Sequence, residues 1–212
     1  MTVAERRARE KGERRVLILS CARKLFEENG LKATTVEQIA DHAELGKGTI
    51  YNYFPCKEDI YFQLLIDSLD VLRESLEWAL ALGSDGELVS RTLEAFDRFH
   101  RDRRGLNEIM LFAVDENVAR ISQPMLDDYD ALLHTVMQLL EDLSAALALD
   151  MGQELENPRD VGLFLLAVEI GVTALIRMGR EFFPEQIDEG RMWNTAREML
   201  LDGIENRSRP AC

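Results

Sequence analysis

Apolar positions recur every three to four residues through most of the chain, a period that predicts one helix after another. Ile18, Cys21, Ala22, Leu25 and Phe26 form the first such stripe, predicting a helix from about Arg14 to Asn29 with Gly30 as its carboxyl-terminal cap. Residues 34–57, TTVEQIADHAELGKGTIYNYFPCK, then read as two short helices joined by a tight turn. A start signal stands there in two frames, Thr34 with Glu37 and Thr35 with Gln38, each a hydroxyl answered three residues on by a side chain able to reach back. Ile39, Ala40 and Ala43 give the first helix its apolar side, and the turn falls at Glu44 to Gly46. The second helix ends before Pro55, because the residue preceding a proline is driven out of the helical region. Ile50 and Phe54 lie four apart and share the face that packs on the first helix, so Lys47, Thr49, Tyr51 and Asn52 point elsewhere.

Beyond Lys57 the same period predicts a long helix to about Leu82, with Ile60, Leu64, Leu65, Leu69, Leu72, Leu76 and Leu80 on its apolar side. GSDGE at 83–87 breaks it, and a further helix runs to about Arg103. Gly105 marks a bend before LNEIMLFAVDEN, a short apolar helix, and Pro124 opens a long one from about Met125 to Leu149. VGLFLLAVEIGVTALIRMG is the most apolar segment, and Pro184 separates it from a last helix, about Arg191 to Glu205. No Val/Thr-rich alternating run appears, so the expected fold class is all-α. Residues 1–13 read as a flexible arm of mixed charge, either a solvated tail or a reach into a minor groove. Residues 14–57 read as a three-helix DNA-binding domain and 58–212 as a helical body.

Two helices of this length with a bent connection form a helix-turn-helix, whose second helix enters the major groove. From Ile18 to Lys57 the chain resembles the DNA-binding domain of the tetracycline-repressor-like (TetR) transcription regulators. The shared pattern runs through Ala22, Leu25, Phe26, Gly30, Thr34, Thr35, Ile39, Ala40, Lys47, Gly48, Ile50, Tyr51, Tyr53, Phe54 and Lys57. Two positions depart from it: Glu44 stands where the family has a turn glycine, and Gly46 where it has a capping serine. The resemblance implies that Lys47 and Tyr51 lie at base edges and that Gly48 lets the backbone come close to a base. It implies that Thr49 and Asn52 read bases or hold phosphates, and that Thr34 or Thr35, Tyr53 and Lys57 hold phosphates.

For the body, the resemblance implies a small-molecule cavity among the middle helices and pairing of the last two helices with a second copy. Trp78, Phe96, Phe99, Met110, Phe112, Tyr129, Met137 and Phe164, beside His100, His134, Glu169 and Arg177, are the candidates for that cavity. Taken singly, each reads as core more readily than as pocket lining. Gly171, Ala174, Leu175, Met192, Trp193, Ala196, Met199 and Leu200 are the candidates for the homodimer interface; the plainer reading is the centre of a monomeric core. The function implied is a ligand-responsive, sequence-specific DNA-binding regulator, by default a repressor released from a palindromic operator by a small molecule. The resemblance does not identify that molecule; a medium-sized apolar or amphipathic compound is the separate expectation. No cofactor, metal or enzymatic activity is expected.

Charge fits this division of labour. The net charge is −14, yet residues 1–57 hold eleven Lys/Arg against eight Asp/Glu while the remainder holds fourteen against thirty-one. The basic share sits with the helix-turn-helix, and an acidic body repels phosphate. Cys21, Cys56 and Cys212 are odd in number and widely spaced, which points to neither a disulfide framework nor a zinc site. Cys56, just before Lys57, reads as an ordinary loop thiol more readily than as a redox switch. No apolar run is expected to span a bilayer, and a cytoplasmic location is expected. Two rival classes remain: a helical protein-interaction module using the acidic body, and a helical-bundle metal enzyme built on Asp97 with His100 and Asp130 with His134, which lacks the paired Glu-x-x-His helices such a site needs.

Overall fold

The structure is a computed structural model. It describes residues 2–81, 87–102, 121–150, 152 and 154–182, and towards the carboxyl end 188, 190–192, 194, 195, 198, 199 and 202. The described elements are helical: α1 (Val3–Ala33), α2 (Val36–His42), α3 (Lys47–Tyr51), α4 (Lys57–Ala81), α5 (Leu88–Asp102), α6 (Gln123–Asp150) and α7 (Pro158–Phe182). The described residues between 190 and 202 are helical as well. The short helix expected over 106–117 lies outside the described residues. The chain divides into two compact units, residues 1–67 with 103–129, and residues 68–102 with 130–212; α4 and α6 each contribute to both.

The first correction comes at the amino end. Residues 3–13, expected to be a flexible arm, are the opening turns of α1. The Thr2 hydroxyl accepts from the Glu5 N–H at 3.2 Å, and the Glu5 carboxylate accepts from the Thr2 N–H at 2.8 Å, closing a reciprocal cap. Arg6 pairs with Glu10 and Arg9 with Glu13, each one turn on. From Ile18 onwards α1 is anchored through its buried stripe Ile18, Cys21, Ala22, Leu25 and Phe26. Gly30 breaks its helical path at φ 76°, ψ 165°, a conformation open to glycine, and a final turn carries the chain to Ala33.

In the first unit the Phe26 ring meets Tyr61 edge-on, centroids 5.1 Å apart, joining α1 to α4. Ile39, Ile50, Phe54, Ile60 and Leu64 close this core. Asp59, in the first turn of α4, is fully buried; its Oδ1 accepts the Ser122 N–H at 3.0 Å, where α6 begins.

In the second unit Leu69, Leu72, Leu76 and Ala79 of α4 are buried, as are Leu88, Ala95 and Phe99 of α5. The buried Arg91 donates from Nε to the Ala79 carbonyl at 3.1 Å, satisfying an acceptor in the last turn of α4. Gly162 is where α7 crosses α6: a Cβ there would stand 3.0 Å from the Leu140 carbonyl carbon, so any side chain would push the two backbones a few tenths of an ångström apart. Against expectation, α6 is long and apolar enough by length and composition to cross a membrane. Its acids Glu141 and Asp142 beside the buried seam Val136, Leu140, Leu143, Ser144 and Leu147 are the pattern of a core helix.

Candidate nucleic-acid interface

Of the two start frames, the one on Thr35 and Gln38 opens α2. Its hydroxyl accepts the Gln38 N–H at 3.2 Å and its N–H donates to the Gln38 amide oxygen at 2.8 Å. The hydroxyl hydrogen is left to donate outward from an exposed position. At the other end of α2, Leu45 N–H reaches the Ala40 carbonyl at 2.9 Å and Glu44 N–H the Asp41 carbonyl at 3.2 Å. This is a Schellman stop, and it places Glu44 at φ 54°, the left-handed position glycine fills at no cost. The turn therefore keeps the form the resemblance implies although its glycine is missing.

Gly46 precedes α3 with no side-chain cap. Ile50 and Phe54 are buried, while Lys47, Gly48, Tyr51 and Asn52 are exposed and Thr49 and Tyr53 half-buried. The Lys47 ammonium pairs with the Glu37 carboxylate and stands 5.7 Å from the Tyr51 ring centroid. That hydrogen bond holds the Glu37 carboxyl below its ordinary range and raises the Lys47 ammonium above its own. Lys47 is thus a full cation, restrained by an acid on α2 that spacing along the chain did not reveal.

Two of the side chains expected near phosphates are engaged inside the DNA-binding unit. Thr34 is fully buried, its hydroxyl donating to the Gly30 carbonyl at 2.8 Å with the Leu25 carbonyl at 3.1 Å. Lys57 donates to the carbonyls of Leu31 at 2.6 Å and Thr34 at 2.7 Å. Both side chains donate to carbonyls in and just beyond the last turns of α1. Arg15 was not foreseen at all: its guanidinium lies over the Phe54 ring, 4.9 Å from the centroid, and donates to Gln63, pinning α1 and α4 to the end of the α3 segment. Burial pushes the Cys56 thiol up to about 11, and its sulfur accepts the Asp59 N–H at 3.4 Å.

The pocket candidates scatter. Phe99 is fully buried, Phe96 and Met137 half-buried, and Trp78 half-buried beneath the Arg98 guanidinium at 5.4 Å. Tyr129 belongs to the first unit, where its ring centroid lies 5.0 Å from that of Phe62. His134 faces solvent, on the side of α6 away from the buried seam, as does Asp130, so neither is placed in a cavity or a metal cluster. Phe164 is 58% exposed on α7. Met110 and Phe112 lie outside the described residues, as do the side chains of Asp97, His100, Glu169 and Arg177. Of the interface candidates, Gly171, Leu175 and Met199 are exposed and Met192 half-buried. Trp193, Ala196 and Leu200 and the side chain of Ala174 lie outside the described ones.

Residues 18–64 match the family of bacterial regulatory proteins, tetR family. The HTH-type transcriptional repressor KstR2 of Rhodococcus jostii (strain RHA1) is 38% identical over 95 residues, 42% of this chain and 47% of that protein. The chain thus spans about half the length of that relative. Among solved structures, the fatty acid degradation regulator FadR of Bacillus halodurans superposes with a TM-score of 0.69 at 19% identity, over 90% of this chain and 95% of that one. A FadR from Bacillus subtilis, solved in complex with stearoyl-CoA, does so with a TM-score of 0.63 at 19% identity, over 89% and 98%. Residues 18–64 thus carry the sequence signature of the tetR family of bacterial regulatory proteins, and the chain shares an all-helical fold with these solved regulators.

Proposed function

We propose that this chain is a cytoplasmic, sequence-specific transcriptional regulator, a repressor that leaves a palindromic operator when a small molecule binds its body. One observation carries the reading: the helix-turn-helix buries Ile50 and Phe54 and leaves Lys47, Gly48, Tyr51 and Asn52 outward on its second helix. A helix so placed fits a major groove, with Lys47 and Tyr51 toward base edges and Thr35 toward a phosphate. Thr49, Asn52 and Tyr53 flank them. With Thr34 and Lys57 engaged internally, Thr35 is the better donor of the pair Thr34 and Thr35.

The working form is a homodimer. A helix-turn-helix reads two half-sites about 34 Å apart only as a pair. Phe164, Ala167, Gly171 and Leu175 form an exposed stripe at i, i+3, i+7 and i+11 on α7, which supports α7 as the pairing helix with Phe164 on its paired face. The effector acts through α4, the helix both units share: it shifts the equilibrium between two settings of that helix by its differential affinity for them. An acyl-coenzyme A is the first effector class to screen, because a relative in fold was solved with stearoyl-CoA.

Selection of bound duplexes from a random pool by the purified protein tests the reading. The expected result is an enriched palindrome with half-sites about one helical turn apart, whose binding an acyl-CoA weakens. No enriched sequence, with a salt-independent protein complex instead, would overturn it in favour of an interaction module.

A further inference from the structure

The opening turns of α1 sort their charges by face. All three acids before Arg14 are engaged within the helix: Glu5 caps Thr2 at 2.8 Å, Glu10 pairs with Arg6 at 3.6 Å and Glu13 with Arg9 at 3.3 Å. Arg7, Lys11 and Arg14 are exposed and, among the described residues, pair with no acid. Their spacing of four and three places them on one side of the helix. At 100° per residue that side is also the side of Ile18, Ala22 and Leu25, which the rest of the DNA-binding unit covers further along.

We infer that Arg7, Lys11 and Arg14 form a helical clamp for the DNA phosphate backbone, an extension of the operator contact beyond the helix-turn-helix. The inference rests on the proposed DNA-binding function and deepens it. Arg15, adjacent to Arg14, lies over Phe54 at the end of the α3 segment, so the cationic stripe starts beside the recognition helix. From Arg14 to Arg7 it rises about 10 Å. Successive phosphates of one strand advance about 3.4 Å along the duplex axis, so the stripe spans roughly three of them. A rigid helix presents these three charges without the ordering cost of a disordered arm. The partner that matches three cations in line, with no acid among them, is a polyanion. The acidic remainder of the chain limits such contacts to this end of the molecule.

The test is the salt dependence of binding by the full-length chain, with the duplex recovered by selection and a random-sequence duplex as probes. Arg7→Gln/Lys11→Gln/Arg14→Gln is compared with Arg6→Gln/Arg9→Gln, which takes cations from the self-paired face, and with Arg7→Lys/Arg14→Lys, which keeps the charge. At about 0.9 per phosphate contact, the triple variant lowers the slope of log Kobs against log salt by about 2.7 per chain, on both probes, without changing the enriched sequence. The charge-keeping variant retains the wild-type slope, and circular dichroism shows α1 intact in all three. An unchanged slope in the triple variant, or an equal fall per charge in the paired-face variant, overturns the clamp while leaving the regulator reading in place. A wild-type chain that enriches no sequence rejects that reading, and the clamp with it.

Discussion

The Lys57 ammonium donates to the Thr34 carbonyl at 2.7 Å and to the Leu31 carbonyl at 2.6 Å, tying the start of α4 to the end of α1. α1 ends at Ala33, so these carbonyls have no amide partner further along their own helix. The cation therefore holds the DNA-binding unit together from inside. Lys57→Met leaves two carbonyls without their charged donor, at a cost of about 1.5–3 kcal/mol. The melting temperature falls by about 2–4 °C for each kcal/mol in a chain of this size. Calorimetry measures that fall, and the salt slope of DNA binding stays at its wild-type value. A lowered slope with unchanged melting would return Lys57 to the phosphates.

Glu44 occupies a left-handed position at φ 54° in the stop that ends α2. Left-handed backbone costs a residue with a Cβ about 1–2 kcal/mol, part of which glycine gives back through its looser unfolded chain. Glu44→Gly is expected to stabilise the protein by about 1 kcal/mol. Gly46→Ser, which adds a hydroxyl cap to α3, changes stability by only a few tenths of a kcal/mol. Chemical denaturation of the two variants side by side checks the ordering. Equal effects would mean that the turn relaxes around Glu44.

What could be read from the chain and what could not divide along a physical line. The Thr35 and Gln38 cap, the burial of Ile50 and Phe54 and the extent of α4 depend on residues three to seven apart, and spacing reveals them. The Thr34 bond to the Leu25 carbonyl spans nine residues and the two Lys57 bonds span twenty-three and twenty-six, set by how the end of α1 meets α4, which no period encodes. Tyr129 lies far along the chain from Phe62, and the fold alone brings them together. The opening of α1 was legible in principle. Thr2 with Glu5 is a capping box, and Arg6 with Glu10 and Arg9 with Glu13 are one-turn ion pairs, but the alternation of sign reads as a tail unless it is sorted by face.

Cys56 sits within the DNA-binding unit, yet its thiol is pushed up to about 11 from 9.0, first by burial and then by the neighbouring carboxylates of Asp59 and Glu58 against opposing backbone hydrogen bonds. The thiolate is the reactive form, so at neutral pH its population is about a hundredfold below that of an ordinary thiol. In a Cys212→Ser background, alkylation of Cys56 is correspondingly slow at neutral pH and accelerates as pH climbs toward about 11. Mass spectrometry of the alkylated peptide follows it. Rapid modification at neutral pH would make Cys56 a redox sensor after all.

Glu37 and Lys47 set how freely the recognition helix presents its cation. Their pair is exposed on both sides, so it adds little to stability, and Glu37→Gln leaves the melting temperature nearly unchanged. Its effect falls on DNA instead, since removing the acid releases Lys47 and deletes a charge that repels phosphate. The expected result is about three- to tenfold tighter binding at low salt, with the difference shrinking as salt screens it. The carboxyl is held below the usual 4.5 by the Lys47 hydrogen bond, so the pair is fully formed above that pH and lost as pH falls through the lowered value. The wild-type restraint on Lys47 therefore persists across the physiological range and is removed only by mutation. Carboxyl NMR of Glu37 reports its titration, which returns to the ordinary range in Lys47→Gln. If Glu37→Gln weakens binding, the acid positions Lys47 for its contact instead of competing for it, and the pair is part of the reading head.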